Sequence, residues 1–527
     1  MNKKNQPKNN VKPEKNYRNR IIAWAFYDWG DHAYITTTAS TFFPPYFISI
    51  AASAFLSSND KIITEAAKAL SRNTASNIFA FTVSLALFAA AILSPIIGAY
   101  ADIRGKRKKI LIIITLFGGF LASMMFLLTT GMWITALALY FITQVIVNIA
   151  LGLNSSLLPH VAKKEDYNRA SSLGYAFGYI GGGLLLLINT AVFLSADALG
   201  ISKGLAVRIA FLTVGIWWII FAIPLLLIVP EPPAFLLAKE KKSGNHFKDS
   251  ITRLIDTFRD IKRYKELFKM LLAFWFYMEG IGAIILLATV YGSALGLDMS
   301  VLIGTLLMTQ LIAFPYALMY GRLPNNTSKW RSVFASMIIW TGITIPAMGI
   351  YANINRDISI ASTAGILAIN QLAGLLFSLF IGRYLLSGLM KRIDTKRAVI
   401  LGLIIYCLIP IWGFFLHSKA EFIMIGFIVG TVQGGTQALS RTIYAGLSPP
   451  SKSGEFFGFY AFSEKFAGIL APLLYAIVGQ ITHDPRDSIL SITLFFIIGI
   501  IMLWRVNIEK GSKIAIEEEN AIKQGKI

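Results

Sequence analysis

The chain has 527 residues, of which 55% are hydrophobic and only 15% charged, a composition that excludes an ordinary soluble globular protein. Its formal net charge is +21, but lysine and arginine lie mainly in short loops between apolar runs, so a nucleic-acid partner is not indicated. The single cysteine, Cys407, lies within an apolar run, which excludes an internal disulfide and gives no sign of zinc or thiol chemistry.

The amino-terminal segment 1–20 is basic and polar, and the apolar run after it is too long for a signal-peptide core. We therefore expect this segment to remain as a cytoplasmic tail. Apolar runs of about 20 residues then recur along the chain and predict an all-α integral membrane protein with about fourteen transmembrane helices. The predicted spans lie near 21–50, 76–100, 110–130, 132–157, 171–195, 206–229, 270–294, 299–320, 332–352, 358–382, 398–416, 421–446, 456–480 and 488–507.

Alternate loops carry the basic residues, including Arg104 to Lys109, Lys163 to Arg169, Lys329 with Arg331, and Lys391 to Arg397. By the positive-inside rule both termini, including the tail 508–527, are expected in the cytoplasm. The expected location is the inner or plasma membrane of the cell.

One long linker, 231–269, divides the predicted spans into a six-helix bundle, 21–230, and a bundle of about eight helices, 270–507. From Phe247 onward, apolar residues recur at helical spacing with lysine and arginine between them: Ile251, Leu254, Ile255, Phe258, Ile261 and Leu267. This predicts an amphipathic helix on the anionic inner leaflet of the bilayer. A regulatory or partner-binding helix is the alternative.

The two halves contain similar segments. RASSLGYAFGYIGGG at 169–183 resembles EFFGFYAFSEKFAG at 455–468, and duplicated halves are typical of transporters. QLIAFPYALMYGR at 310–322 likewise resembles QLAGLLFSLFIGR at 371–383, which suggests a duplicated helix pair inside the second half.

The first predicted span contains WAFYDWGDHAY, in which Asp28, Asp31 and His32 share one helix face. A carboxylate at mid-membrane costs about 2.5–3.5 kcal/mol, so it should face a cavity or a partner. Two carboxylates beside a histidine can bind and release a proton near neutral pH. We interpret these residues as proton-coupling candidates. The alternative is that Asp28 lies near the cytoplasmic end of the span and forms a structural pair with a basic loop residue.

Other polar residues also lie at membrane depth. Glu279, in YMEGIG, is a further proton-coupling candidate because it is acidic and flanked by glycines. Arg441 could pair with a substrate carboxylate or with an acid of the protein, and its place near a cytoplasmic edge favours the protein acid. Candidates for the substrate cavity, with interhelical hydrogen bonding as the alternative, are Asn148, Asn154, Gln433, Gln437 and Glu464. Gly174, Gly178 and Gly182 predict close helix packing.

The segment GAYADIRGKRK at 98–108 follows the second span and resembles the loop signature of the major facilitator superfamily, Gly-x-x-x-Asp-Arg-x-Gly-Arg-Arg/Lys. Ile103 occupies the position where the superfamily usually has arginine. Gly98 permits close helix approach, and Asp102 can cap a neighbouring helix and pair with a basic residue. The gate residues are therefore expected to be Gly98, Asp102, Arg104, Gly105, Lys106 and Arg107.

Four segments resemble the vacuole-effluxer-like family within that superfamily: WAFYDWGDHAY, RASSLGYAFGYIGGGLLLL, VPEPP at 229–233 and GTVQGGTQALSRTIYAGLSPPSKSGEFFGFYAFSEKFAG at 430–468. The resemblance implies the major facilitator fold, with two helix bundles and twelve core spans, so 299–416 holds an extra pair. Eukaryotic members export amino acids from the vacuole. Asp31 and His32 stand where an Asn-Ser pair is common in the family, and YMEGIG replaces a pattern with an Asn-Asp pair.

The sequence contains no phosphate-binding G-x-x-x-x-G-K-S/T loop, no H-E-x-x-H and no G-x-S-x-G, so we expect neither an ATP-driven pump nor an enzyme, and no cofactor or metal. The predicted function is secondary active transport of amino acids or similar small polar metabolites by alternating access, as export and with proton coupling. The expected partners are the small-molecule substrate, protons and the bilayer. A drug or sugar transporter of the same fold is the nearest alternative, and a non-transporting membrane receptor or scaffold is the alternative of another class.

Overall fold

The structure is a computed structural model that describes residues 15–56, 65–234, 245–259, 262–324, 330–355, 358–386, 388, 393–468 and 470–524. All regular secondary structure in these ranges is helical, as predicted. Several expected elements lie outside the described residues: most of the amino-terminal tail, residues 235–244 and 260–261 of the linker, Lys329, and Lys391 with Arg392.

The helices that build the fold are numbered α1 to α19 in chain order. In the first half these are α1 (Lys15–Ala33), α2 (Phe43–Phe55), α3 (Glu65–Arg104), α4 (Arg107–Met124), α5 (Trp133–Ser156), α6 (Tyr167–Leu194) and α7 (Lys203–Ile228), followed by α8 (His246–Arg259). The second half contains α9 (Lys265–Ala294), α10 (Met299–Tyr320), α11 (Arg331–Ile354), α12 (Ile360–Phe377), α13 (Thr395–Phe414), α14 (Lys419–Leu447), α15 (Ser453–Phe466), α16 (Leu470–Thr482), α17 (Pro485–Ser491), α18 (Thr493–Trp504) and α19 (Ile508–Lys523).

The helices of each half pack mainly among themselves. In the first half, α1 packs against α6 and α7, and α3 against α5; in the second half, α10 and α13 pack against α14, and α9 against α18. The halves meet where α15 packs against α3 and α5, and where α6 packs against α10 and α14. We call the surface that carries the loop from Arg104 to Lys109 the basic side.

The first helical stretch is not one regular span. A π-helix, Tyr34–Phe42, separates α1 from α2. Pro44 and Pro45 occupy the first turn of α2 and lack the N–H groups that would bond to the carbonyls one turn earlier. The Phe43 N–H instead bonds to the Thr38 carbonyl, five residues back. The helix therefore widens directly after His32.

In the described part, twelve helices are long and apolar enough to cross a membrane. The stretches 15–55 and 453–482 are not among them; the first contains the π-helix, and the second is broken at Gly468. The count of fourteen spans therefore stays a prediction. Within 299–416, α11 and α12 form a hairpin at the edge of the second half, and most apolar side chains of α12, such as Ile369 and Leu372, are exposed.

Two amphipathic helices lie at the basic side. α8 falls within the predicted linker and packs against α3. α19 packs against α9 and α14, and it forms where the sequence suggested only a tail. Asn507 caps the amino terminus of α19, because its side chain accepts a hydrogen bond from the Lys510 N–H. A search for long apolar runs misses such a helix, because its apolar residues are interleaved with charged ones.

Candidate functional site

A buried ion pair joins the two halves of the molecule. Asp28 Oδ2, on α1, lies 3.4 Å from both terminal nitrogens of Arg441, on α14. Asp28 Oδ1 accepts a hydrogen bond of 2.6 Å from Asn154 Nδ2, on α5. Both members of the ion pair are almost fully buried, so solvent screens their attraction little. Sequence reasoning favoured a protein acid as the partner of Arg441, and the structure identifies that acid as Asp28.

The Arg441 guanidinium is held from several directions. Its Nε donates to Ser171 Oγ at 2.9 Å, and Nη2 donates to the Ser171 carbonyl at 2.9 Å. The rings of Trp24 and Tyr175 lie 4.8 Å and 4.5 Å from its Cζ, within range of a cation–π interaction. All four contacts come from three residues of the first half, so Arg441 fixes α14 against α1 and α6.

Asp31 and His32 form a second pair next to the first. His32 Nδ1 lies 2.8 Å from Asp31 Oδ1. Asp31 is fully buried, and its Oδ2 has no hydrogen-bond partner within the described residues. The His32 side chain keeps 16% of its surface exposed, and its ring meets Tyr175 and Tyr179 edge-on at 6.2 Å and 6.0 Å. The pair is therefore shielded on the carboxylate side and partly exposed on the imidazole side.

The glycines of α6 create the space for these charged groups. A Cβ at Gly174 would lie 2.3 Å from Asp28 Oδ2, and one at Gly178 would lie 2.7 Å from the His32 ring. Both distances are shorter than any normal contact, so larger residues would displace the charged side chains. The glycine spacing noted in the sequence thus lets α1 approach α6 with acidic and imidazole groups between them.

The remaining cavity candidates divide into two groups. Gln433 lines an apolar cavity between α9, α10 and α14 that Gln310 also lines. Tyr179 donates a hydrogen bond to Gln437 Oε1, next to His32. Glu464, on α15, interacts electrostatically with Tyr175 and Tyr179. Gln433 also hydrogen-bonds to Tyr179, so all three residues interact with the tyrosines that contact His32.

Asn148, Asn154 and Glu279 have structural contacts. Asn148 Nδ2 donates to the Gln144 carbonyl of its own helix, and Asn154 holds Asp28. Glu279 lies on α9, where its Oε2 accepts from the N–H groups of Gly468 and Ala471 at 2.9 Å and 3.0 Å. It therefore caps the amino terminus of α16, after the break in which Gly468 takes a φ of +123°.

The gate motif contacts the backbone of the other half. Asp102 accepts hydrogen bonds from the N–H groups of Gly454 and Glu455, in the first turn of α15, and pairs with Arg107. Arg107 Nη2 donates to the carbonyls of Pro450 and Ser451 at 3.3 Å and 3.0 Å.

The other motif residues have distinct positions. A Cβ at Gly98 would lie 2.0 Å from the Gly454 carbonyl oxygen, so only glycine permits this approach. Gly105 takes a φ of +56° in the turn between α3 and α4, which favours glycine. Arg104 and Lys106 are exposed, and the buried partner of Asp102 is Arg107.

Sequence reasoning missed one gate residue, His160. Its Nε2 lies 3.1 Å from the Pro450 carbonyl oxygen and 3.3 Å from Ser453 Oγ, and it also contacts Arg107. Its only signal in the sequence was a histidine directly before the polar loop that begins at Lys163.

Comparison with known proteins identifies the family. The family described as "Vacuole effluxer Atg22 like" matches residues 16–378 and 357–515. The chain is 27% identical over 508 residues to the uncharacterised MFS-type transporter YxiO of Bacillus subtilis, covering 96% of this chain and 99% of that protein. It is 24% identical to autophagy-related protein 22 of Cryptococcus neoformans, over 66% of this chain and 54% of the fungal protein.

Solved structures of the major facilitator superfamily share the fold. FucP in its outward conformation matches with a TM-score of 0.53 and 11% identity, covering 94% of this chain and 100% of FucP. The proton:xylose symporter XylE matches with a TM-score of 0.54 and 12% identity, covering 93% and 94% of the two chains. The predicted all-helical transporter fold is confirmed, and the chain belongs to the vacuole effluxer Atg22-like family of major facilitator superfamily transporters.

Proposed function

We propose that this transporter exports amino acids or similar small polar metabolites and couples their movement to protons through Asp31 and His32. The observation that carries the proposal is the juxtaposition of this proton-binding pair with the Asp28–Arg441 ion pair. His32 and Arg441 both contact Tyr175 and therefore lie close together. A change of charge on His32 alters the electrostatic energy of Arg441. The family name supports efflux, and the polar residues around His32 support a small polar substrate.

In the proposed mechanism, the two halves rock about a central site. The structure represents the state that is closed at the basic side, since Asp28–Arg441 and the contacts of Asp102 and Arg107 all join the halves there. The basic loops support assigning this side to the cytoplasm, with both termini there and the protein in the plasma or inner membrane. Opening this side requires the Asp28–Arg441 pair to separate.

Protonation would alter the balance between the two open states. With a proton on the Asp31–His32 pair, the neighbouring positive charge of Arg441 is less well compensated, which weakens the closed arrangement. A ligand or proton shifts a conformational equilibrium only by binding the two states unequally. Because the site differs in burial and partners when the halves separate, the pair satisfies this condition.

Two alternatives are distinguished by flux. A drug or sugar transporter of the same fold would carry those substrates and no amino acid. The mostly apolar lining of the cavity beside Gln433 would suit an apolar drug, so such compounds are included in the assay. A receptor or scaffold would bind a ligand without net movement across the bilayer.

The first test is uptake of a mixed, labelled amino-acid pool into proteoliposomes under an imposed pH gradient. We expect gradient-dependent flux in the wild type, and its loss in Asp31→Asn and His32→Ala because neither variant retains the proton-sharing pair. Thermal unfolding and monodispersity in detergent establish that the variants are folded.

Asp298→Asn and His417→Ala are the matched controls. Both remove the same chemical groups from exposed positions outside the site. We expect both to keep wild-type flux. Flux of sugars or drugs in place of amino acids would overturn the substrate class, and flux that is indifferent to both gradient and variants would overturn the coupling.

A further inference from the structure

The amphipathic helix α8 has three different faces. One face is buried against the rest of the protein and includes Ser250, Arg253, Leu254 and Thr257, each with at most 8% of its surface exposed. A second face is apolar and exposed, with Phe247, Ile251 and Ile255 one turn apart. The third face is polar and exposed and carries Lys248, Thr252, Asp256 and Arg259. The apolar stripe therefore runs between the protein and the solvent.

The buried face of α8 reaches the gate. Arg253 interacts electrostatically with Asp102, which caps α15, and with Glu455, in the first turn of α15. Thr257 also lies beside Glu455, which is fully buried. The two acids come from different halves of the molecule, and a buried carboxylate requires a nearby positive charge. Arg253 thus stabilises the arrangement in which α3 and α15 are in contact.

The exposed faces of α8 fit the surface of an anionic bilayer. The stripe of Phe247, Ile251 and Ile255 exposes 58%, 38% and 46% of those side chains. Lys248 and Arg259 flank it, and Arg259 also lies 4.0 Å from Asp256 in an exposed ion pair. α8 packs against α3, whose own exposed apolar residues, such as Phe81 and Phe88, are those of a membrane span. The helix therefore lies where the chain meets the membrane surface. Apolar residues beside basic ones are the pattern of helices that insert among anionic headgroups.

We propose that α8 is a lipid-responsive latch: anionic lipid at the basic side holds α8 in place, and α8 holds the gate closed through Arg253. The lipid favours the docked position of α8. Only in that position does the apolar stripe enter the bilayer while the basic residues contact the headgroups. This makes the headgroup charge of one leaflet a regulator of the transporter. The inference does not depend on the identity of the substrate or on proton coupling.

The first experiment measures insertion of the helix. In a Cys407→Ser background, an environment-sensitive fluorophore is attached to Ile251→Cys, on the apolar stripe, or to Thr252→Cys, on the polar face. In vesicles of phosphatidylcholine with phosphatidylglycerol, we expect a blue-shifted emission that brominated lipid quenches for Ile251→Cys, and aqueous emission for Thr252→Cys. Aqueous emission at both positions would overturn the proposal and leave the apolar stripe for a protein partner.

The second experiment measures the gate. Spin labels at Glu165→Cys, in the first half, and Lys513→Cys, on α19, report the separation of the halves at the basic side. We expect phosphatidylglycerol to raise the closed-to-open ratio about fivefold relative to phosphatidylcholine alone, the equivalent of the ~1 kcal/mol that one basic residue gains at an anionic surface. An identical distance distribution in the two vesicles would refute the latch whatever the transport assay shows.

Three variants separate lipid binding from its effect on the gate. Lys248→Gln with Arg259→Gln should remove the response to phosphatidylglycerol, and Thr252→Ala should keep it. Arg253→Gln should leave the Ile251→Cys probe inserted while the gate no longer responds. A full response in Arg253→Gln would show that α8 does not act through this residue and would overturn the proposed coupling.

Discussion

The Asp28–Arg441 pair shows what individual residues in the sequence could and could not predict. Each residue was noticeable alone, because a charge within an apolar run requires a partner. Their pairing could not be predicted from the sequence, since 413 positions separate them along the chain and only the packing of α1, α6 and α14 brings them together. The capping contacts of Glu279 could not be predicted for the same reason, since Gly468 and Ala471 lie 189 and 192 positions away along the chain. Its role in proton coupling stays a prediction.

A double-mutant cycle tests the ion pair. We expect Asp28→Asn and Arg441→Gln each to lower the free energy of unfolding by about 3–5 kcal/mol, because each leaves an uncompensated charge in a buried site. The double variant should lose less than the sum, since it leaves neither charge behind. Thermal or denaturant unfolding in detergent gives the four values.

The exposed pair Lys419–Asp298 is the control for this cycle. Its members expose 51% and 61% of their side chains, and solvent screening should reduce its coupling to at most about 1 kcal/mol. Additive single effects at Asp28 and Arg441 would contradict a direct interaction between the halves.

At the scale of elements, the apolar windows located most spans, because a bilayer forces long apolar helices on the chain. They did not locate the breaks. The widened turn before Pro44 involves one backbone hydrogen bond, from Phe43 to Thr38, and the interruption at Gly468 involves one positive φ. Hydropathy registers neither. The tail was underestimated for a related reason: α19 is helical because its apolar face packs on α9 and α14, and this tertiary contact is invisible in a short window.

The break at Gly468 provides a test of Glu279. We expect Glu279→Ala to lower the free energy of unfolding by about 1.5–3 kcal/mol, because the N–H groups of Gly468 and Ala471 lose a charged acceptor. Glu279→Gln retains an acceptor oxygen and should cost less, with the pH-gradient-driven flux preserved. The unfolding measurements and the proteoliposome assay use the same protein preparations. A stable Glu279→Gln protein without gradient-driven flux would instead make Glu279 a proton carrier.

At the scale of the whole molecule, α19 stabilises the loop through which the two halves meet at the basic side. Glu518 pairs with Lys452 at 2.6 Å, and Glu519 accepts hydrogen bonds from the N–H and hydroxyl of Ser451. The carbonyl of Ser451 also accepts a hydrogen bond from Arg107. The carboxy-terminal helix thus holds the loop between α14 and α15 in the position that closes the gate.

Neutralising the two acids should loosen this side. In a Cys407→Ser background, Ala445→Cys places a thiol in the crevice between α19 and the first half. We expect Glu518→Gln with Glu519→Gln to raise its rate of alkylation by a membrane-impermeant maleimide about fivefold or more, the equivalent of ~1 kcal/mol of lost contact. Glu517→Gln, at an exposed position, is the control and should leave the rate unchanged. An unchanged rate in the double variant would mean that α19 does not hold the gate.

The chemistry of the gate also determines what related sequences can reveal about it. Asp102 and Arg107 contact N–H and carbonyl groups of residues 450–455, and every amino acid supplies a carbonyl there while all but proline supply an N–H. Gly454 is an exception, because a Cβ there would lie 2.2 Å from Asp102 Oδ1. Substitutions elsewhere on the receiving loop therefore need no compensating change in Asp102 or Arg107. We expect Asp28 and Arg441 to covary among relatives, while Asp102 and Arg107 show no covariation with the loop that they close upon, although both contacts join the same two halves.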